Sequence, residues 1–247
     1  MSLTGPPYNP LDRVELGRSV ERALLGRPLG PLPPANSFPG AGLYAIYYIG
    51  DFAPYRPIAP PTRTAGDIPI YVGRAMPPGS RAGVGGLVAT TSQPVLYNRL
   101  AEHAETIGQV EADSAAVGTT NLRLSDFRCR YLVVDDIWVP MAEALLIGQY
   151  QPIWNQILKG FGNHDPGAGR TNQARSPWDE VHPGRAWVAK LGPPKQAATV
   201  SVAAITAHLA KQPVTDLEEL PAITAEVVQA VLEEPDGPQA DTPHPLD

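Results

Sequence analysis

The sequence predicts an α+β fold in which a small three-stranded sheet is flanked by helices. Residues 42–50, 69–73 and 127–134 have the aromatic and β-branched composition of strands. Between and around them lie stretches whose apolar residues recur at helical spacing. Because side chains alternate along a strand, we expect Tyr44 and Tyr48 on one face of the first strand and the odd-numbered residues on the other.

Helices are predicted on both sides of these strands. An N-terminal helix follows Asn9-Pro10, which is an N-cap residue followed by proline at the first helical position. Residues 94–110 form a second helix and residues 141–150 a third, with Glu143 in its first turn.

Four other segments lack a helical or strand period, and we expect loops there. Residues 51–68 are rich in proline, residues 76–89 are rich in glycine and include Arg81, and residues 112–121 are small and polar. Residues 159–187 combine glycine, arginine and amide side chains. Such a segment is either disordered or a recognition surface that its partner orders.

Charge divides the chain into a body and a tail. The net charge is −6, yet residues 191–247 carry nine acidic residues and two basic ones, which leaves the rest close to neutral. We expect a main domain over residues 1–191, a helical extension over residues 192–234 and a disordered acidic tail over residues 235–247. A neutral body can carry a local basic face for nucleic acid, whereas the acidic tail is unsuited to that contact.

The composition also bears on the compartment. The chain has no run of about 18 apolar residues that would span a membrane. Residues 1–10 lack the basic start and apolar centre of a secretory signal. Cys129 is the only cysteine, which excludes an intramolecular disulfide and a cysteine-based metal site. We therefore expect a cytoplasmic protein of the bacterial type.

Six polar side chains on the predicted core suit phosphodiester hydrolysis. A carboxylate can hold Mg²⁺ while water and phosphate complete its coordination, and a guanidinium stabilises charge in the transition state. A phenolate can act as general base, although its ordinary pKa of about 10 calls for a nearby cation or histidine. The chain has no Gly-x-Ser-x-Gly motif, no Walker phosphate loop and no histidine pair at zinc-ligand spacing. The six residues are Tyr44, Tyr71, Arg99, His103, Glu143 and Asn155.

Each of these residues also has a purely structural interpretation. Arg99 and His103 are four positions apart, so they could form a solvated helix face. The Glu143 carboxylate could stabilise a helix N-terminus, and Asn155 could cap a turn. Tyrosines in a sheet commonly serve packing alone.

The order of the six residues resembles the GIY-YIG nuclease superfamily. Gly42-Leu43-Tyr44 corresponds to the first motif and Tyr71-Val72-Gly73 to the second, each with one conservative change from isoleucine. The literal Tyr48-Ile49-Gly50 is not the second motif, because it lies in the same strand as the first, whereas the family uses the neighbouring strand. The resemblance implies a GIY-YIG core with a mostly antiparallel three-stranded sheet.

Further segments resemble one branch, the type II restriction endonucleases that cut the palindrome CCGCGG, the isoschizomers of SacII. These segments are residues 9–12, 42–50, 160–169 and 176–179, within a resemblance that covers about residues 8–191. The resemblance implies a double-stranded DNA substrate and a homodimer that matches the two-fold site. It also implies Mg²⁺ or another divalent metal as cofactor, and a methyltransferase for the same site as genetic partner.

The resemblance further implies a role for each residue. Tyr44 is the general base and His103 assists it. Tyr71 orients the attacking water or the phosphate, and Arg99 contacts the scissile phosphate. The metal ligand and the supporting amide are Glu143 and Asn155.

DNA contacts are expected from basic and amide side chains in the loops. Arginine binds guanine O6 and N7 bidentately in the major groove, which suits a GC-rich site. Some of these side chains contact only phosphate, and surface solubility is the structural alternative for each arginine. The candidates are Arg81, Arg170, Asn172, Gln173, Arg175 and Arg185.

Two other functions compete with this interpretation. A GIY-YIG nuclease of repair or homing type would carry a separate DNA-binding module, which the acidic tail does not resemble. A catalytically silent or structure-specific DNA-binding protein of the same fold would not require all six residues.

Overall fold

The computed structural model of the chain describes residues 13–62, 64–77, 91–135, 137–167 and 173–211. These residues form an α+β fold with a four-stranded sheet and helices on both of its faces. The strands are β1 (Gly30–Pro31), β2 (Gly42–Tyr48), β3 (Tyr71–Ala75) and β4 (Phe127–Val133). The α-helices are α1 (Arg13–Leu25), α2 (Val95–Ala116), α3 (Val139–Tyr150), α4 (Ile153–Gln156), α5 (Pro177–Val181) and α6 (Ala198–Leu209).

The sheet is antiparallel throughout, in the order β1-β4-β2-β3. The three predicted strands are confirmed with slightly shifted ends, and β1 is an additional strand. Strand β1 has only two residues, one of which is Pro31, so it shows no alternating pattern that would predict a strand. Within β2, Tyr44 pairs with Gly73 of β3 on one side and with Tyr131 of β4 on the other.

Helices cover both faces of β2, and every residue of this strand is buried. Tyr44 and Tyr48 pack in the core that contains the apolar face of α2. Ala45 and Tyr47 pack in the opposite core, against α1 and α3. The predicted alternation along this strand is therefore confirmed.

Two predicted helix boundaries are wrong. The structure continues α2 to Ala116, so residues 112–116 are helical although a loop is predicted there. Apolar periodicity fades after Val110, but the segment is rich in alanine, whose helix propensity is high. The third helix begins at Val139, which places Glu143 in its second turn. Stabilisation by the helix dipole falls off within the first turn, so that interpretation of Glu143 loses its basis.

Residues 159–187 are more ordered than their composition predicts. The described part of this segment includes α5, and the side chains of Trp178 and His182 are fully buried. Helix α6 packs on the same core through Ile205. The predicted N-cap at residues 9 and 10, and everything predicted beyond residue 211, lie outside the described residues. No helix in the described ranges is long and apolar enough to cross a membrane.

Candidate active site

The centre of the site is a buried pair formed by Tyr44 of β2 and His103 of α2. The Tyr44 hydroxyl and His103 Nε2 are 2.6 Å apart. Helical spacing places His103 on the buried face of α2 with Leu96, Leu100 and Ile107, so this face meets the sheet where Tyr44 projects. The structure therefore rules out a solvated helix face for His103.

Tyr71 and Arg99 complete one side of this centre. The Tyr71 ring lies 6.1 Å from the Tyr44 ring and 5.4 Å from the His103 ring, measured between centroids. The Arg99 guanidinium donates to the Gly162 carbonyl at 2.9 Å and pairs with Glu102 at 2.9 Å. It also contacts the His164 ring.

Glu143 approaches the site from α3 and pairs with an arginine of β3. Its carboxylate lies 3.1 Å from the Arg74 guanidinium, and both side chains are largely buried. Burial is the largest cause of the raised pKa of Tyr44 and of Tyr71, and the negative charge of Glu143 raises both further. The carboxylate is thus close enough to act on the two phenols electrostatically.

Asn155 supports the edge strand β3 instead of facing solvent. Its amide accepts from Val72 N and donates to Val72 O, each at 2.8 Å. The neighbouring Trp154 N donates to Ile70 O at 3.0 Å. The short helix α4 therefore satisfies the outer edge of β3 as another strand would, and it fixes the strand that carries Tyr71.

Burial sets the protonation states of the central pair. Burial is the largest cause of the raised pKa of Tyr44, and Tyr71 and Glu143 raise it further while Arg99 lowers it. Burial, together with the positive charge of Arg99, holds the pKa of His103 well below its usual range. At neutral pH the phenol is thus protonated and the imidazole neutral, so the hydrogen bond between the Tyr44 hydroxyl and His103 Nε2 joins two uncharged groups.

Two glycines make room for these side chains. A Cβ atom at Gly73 would overlap the Tyr44 hydroxyl and would lie 3.0 Å from the Tyr71 ring. A Cβ atom at Gly162 would lie 2.8 Å from the Tyr71 hydroxyl and 3.2 Å from Arg99. The second motif therefore needs glycine at position 73, because the Tyr44 side chain of the first motif lies directly over this residue.

Several residues at the site are absent from the sequence prediction. They are the ion-pair partner Arg74 and the wall formed by Phe161, Gly162 and His164. The Phe161 ring stacks on His103 at 4.4 Å between centroids, with an interplanar angle of 18°. Arg74 directly follows the second motif, a position that could have drawn attention to it. Residues 160–169 resemble the restriction-enzyme branch, but no local pattern indicates that they line the site.

The six DNA-binding candidates have different placements. Arg81, Arg170 and Asn172 lie outside the described residues. Gln173 and Arg175 line a groove of about 620 Å³, together with Asn163 and Lys195.

Arg185 is a correction to the prediction. Its side chain is 1% exposed, and it is fully engaged with Asp179 and with backbone carbonyl groups. It offers no donor to a DNA base from this position. Glycine and arginine content suggested an exposed loop, but two tryptophans enclose this guanidinium, with its carbon 4.9 Å from the Trp178 ring centre and 4.7 Å from that of Trp187.

Glu143 is the carboxylate that a divalent cation would bind here. In the described ranges no cluster of three or more His, Cys, Asp or Glu side chains could hold a metal. Glu143 already attracts one cation, the Arg74 guanidinium. A single carboxylate suits Mg²⁺, which keeps several waters and takes its remaining ligands from phosphate, so the donor set fits this ion.

Comparison with known proteins identifies the family of the chain. A search of curated proteins found no match. A search of protein families matched residues 36–209 to the Eco29kI GIY-YIG domain. This range includes the six polar residues of the site and more than two thirds of the chain. The chain therefore belongs to the Eco29kI GIY-YIG domain family, a family of restriction endonucleases that act as DNA nucleases.

Proposed function

We propose that this protein is a type II restriction endonuclease that hydrolyses double-stranded DNA at a GC-rich palindrome, CCGCGG, with Mg²⁺ as cofactor. The observation that supports the chemistry most directly is the buried hydrogen bond between the Tyr44 hydroxyl and His103 Nε2, 2.6 Å long, beside the Arg99 guanidinium. It joins a potential base to a proton acceptor next to a cation that can bind phosphate.

Tyr44 serves as general base. As water attacks the phosphorus, the Tyr44 oxygen takes a proton from the water and passes its own proton to His103 Nε2. One phosphorus–oxygen bond forms, one ester bond breaks, and the leaving oxygen is protonated from solvent. Bound DNA places negative charge beside the pair, which favours the protonated imidazole in the complex relative to the free enzyme.

Arg99 and Tyr71 act on the phosphate and the attacking water. Arg99 already lies between the phenols and Gly162, and a guanidinium there stabilises the charge that builds on the phosphate oxygens. Glu143 would hold Mg²⁺, which when bound supplies further stabilisation of that charge. Arg74 keeps the Glu143 carboxylate neutralised and in place when no metal is bound.

Recognition involves the groove that contains Gln173 and Arg175. The groove borders the active site because Asn163, one residue beyond Gly162, also lines it. Arginine binds guanine O6 and N7 bidentately in the major groove, so Arg175 is the candidate in this groove for reading a G·C pair. A palindrome is matched by two copies related by a two-fold axis, so the active form is a homodimer, and a methyltransferase protects the host's own sites.

The test compares a plasmid that carries one CCGCGG site with a site-free plasmid, both with Mg²⁺. Glu143→Gln removes the proposed metal ligand with little change in shape, and Glu105→Gln is its control because Glu105 is exposed on α2. We expect linear product only from the plasmid with the site, with the wild type and Glu105→Gln but not with Glu143→Gln. Binding of a CCGCGG duplex with Ca²⁺ is measured in parallel.

The other outcomes discriminate between functions. Cutting of both plasmids would support a nuclease but exclude specificity for CCGCGG. This is the result expected of a repair or homing enzyme. Binding of the duplex without any cutting by the wild type would favour the catalytically silent DNA-binding protein.

A further inference from the structure

Arg185 and Asp179 form a buried ion pair beside the active site. Arg185 Nη2 lies 2.5 Å from Asp179 Oδ1, and Arg185 Nε donates to the same oxygen at 2.7 Å. The second carboxylate oxygen accepts from the Ser176 hydroxyl at 2.6 Å. Both charged side chains are almost completely shielded from solvent.

The remaining donors of Arg185 bind one short segment, residues 160–164. Arg185 Nη2 donates to Gly160 O at 3.0 Å, and Nη1 donates to Phe161 O at 3.3 Å and to Asn163 O at 3.0 Å. Three carbonyl groups of four consecutive residues are thus held by one rigid, planar fork.

The same segment forms the wall of the active site. Phe161 stacks on His103 and meets the Tyr71 ring edge-on, with centroids 5.1 Å apart. Gly162 O accepts from Arg99 at 2.9 Å, and His164 contacts the same guanidinium. The backbone of segment 160–164 is therefore held by Arg185. On the other side, its side chains and one carbonyl group contact Tyr71, Arg99 and His103, three of the proposed catalytic residues.

The energetics favour a role in geometry over one in stability. Burying two charges is costly, and an apolar pair of similar volume is often as stable or more so. A planar fork, in contrast, fixes several acceptors at once in set directions. An ion pair in this place suits a segment whose position must be exact to a fraction of an ångström.

We propose that Arg185 and Asp179 are positioning residues that hold segment 160–164 against His103 and Arg99. The inference rests on the proposed nuclease function, because it assigns the pair an effect on cleavage. Neither residue touches the reacting atoms.

The test uses Arg185→Lys, which keeps the charge but loses the fork. Arg130→Lys is the matched control. Arg130 also donates to two carbonyl groups, of Arg27 at 3.0 Å and Gly66 at 2.6 Å, and also lies over an aromatic ring, that of Tyr47. Arg130 lies on β4, and its two carbonyl partners belong to other segments than residues 160–164, so its substitution reports the general effect of an arginine-to-lysine change.

Three quantities are measured for each folded variant: the single-turnover cleavage rate across pH, the dissociation constant for the CCGCGG duplex with Ca²⁺, and the NMR shifts of the His103 ring. We expect Arg185→Lys to lower the cleavage rate by about tenfold or more, with DNA affinity within about threefold of the wild type. Its pH profile and His103 shifts change because Phe161 no longer stacks in place, whereas those of Arg130→Lys do not.

An unchanged pH profile and unchanged His103 shifts in Arg185→Lys would overturn the positioning role. If that variant does not fold, Trp187→Leu replaces it, because it removes one ring from Arg185 at a partly exposed position. The NMR measurement needs no cleavage. A wild type that fails to cut while Arg185→Lys still shifts His103 would therefore refute the nuclease function and leave the positioning geometry standing.

Discussion

The Tyr44 hydroxyl and His103 Nε2 are 2.6 Å apart in the protein interior, although the two residues are 59 positions apart in sequence. One comes from the central strand and the other from the buried face of a helix. Both are neutral at pH 7, because burial raises the pKa of Tyr44 and lowers that of His103. The pair therefore carries no net charge in the free protein at pH 7.

Tyr44→Phe tests the proposed general base. We expect the cleavage rate to fall by about 10²–10⁴-fold, because proton transfer by a positioned group contributes that much. DNA affinity remains, since the ring still fills its place. Tyr47→Phe is the control, because Tyr47 is a buried tyrosine of the same strand on the opposite face. The measurement is the single-turnover cleavage rate of each variant. Equal cleavage rates for Tyr44→Phe and Tyr47→Phe would exclude Tyr44 as the base.

Tyr71→Phe and Tyr48→Phe test which tyrosine belongs to the second motif. Tyr71 lies beside Tyr44, His103 and Arg99. The Tyr48 hydroxyl instead accepts from Phe52 N at 2.7 Å. We expect Tyr71→Phe to lower cleavage by at least about 10²-fold, and Tyr48→Phe to cost about 1–3 kcal/mol of stability with cleavage retained.

The measurements are cleavage rates and urea unfolding for both variants. A loss of cleavage in folded Tyr48→Phe, with Tyr71→Phe active, would reverse the motif assignment.

Gly73→Ala tests the close approach between the two motifs. The new methyl group would overlap the Tyr44 hydroxyl, so we expect the phenol to move and cleavage to fall by about 10²-fold. Gly108→Ala is the control, because no atom lies within 4 Å of a Cβ at that helical position. It should raise the unfolding free energy by about 0.5–1 kcal/mol with unchanged cleavage. Full activity of Gly73→Ala would show that the Tyr44 hydroxyl can move aside without loss of cleavage, and would contradict this prediction.

His182 makes stability depend on pH. Its ring bonds the Tyr55 hydroxyl and the Asn121 amide oxygen, each at 2.5 Å. Burial lowers the pKa of His182 from 6.5 to about 3. Below pH 6.5 the His182 ring is therefore protonated in the unfolded chain but stays neutral in the folded chain until the pH approaches 3. The contribution to stability is complete above pH 6.5 and is lost as the pH falls from 6.5 towards 3, by up to about 1.4 kcal/mol per pH unit.

Urea unfolding between pH 7 and pH 4 checks this prediction. We expect His182→Gln to be less stable than the wild type at pH 7, but with a shallower pH dependence. The carboxylates contribute to both proteins, so the difference in slope isolates His182. Parallel curves for the two proteins would contradict the assignment of the proton uptake to this ring.

Local patterns were sufficient for much of the fold. Aromatic and β-branched composition located β2, β3 and β4, and strand alternation predicted which face Tyr44 occupies. Apolar periodicity located α2, and Pro140 and Pro152 marked the limits of α3. The periodicity missed the end of α2, where alanine maintains the helix without a hydrophobic stripe. These successes share one cause, because period and composition act over a few neighbouring residues.

The sequence alone was therefore sufficient to predict the main strands and helices, and the order of the six polar residues was sufficient to indicate the family. It could not reveal that Glu143 pairs with Arg74, that Phe161 lies on His103, or that Arg185 is buried with Asp179 instead of exposed to DNA. Glu143 and Arg74 are on different elements, as are Phe161 and His103, and no local period connects them. Arg185 follows Asp179 by six positions, but whether that pair is buried depends on how the segment around it packs. These features arise when segments distant in sequence exclude water together, and that is decided in the folded chain.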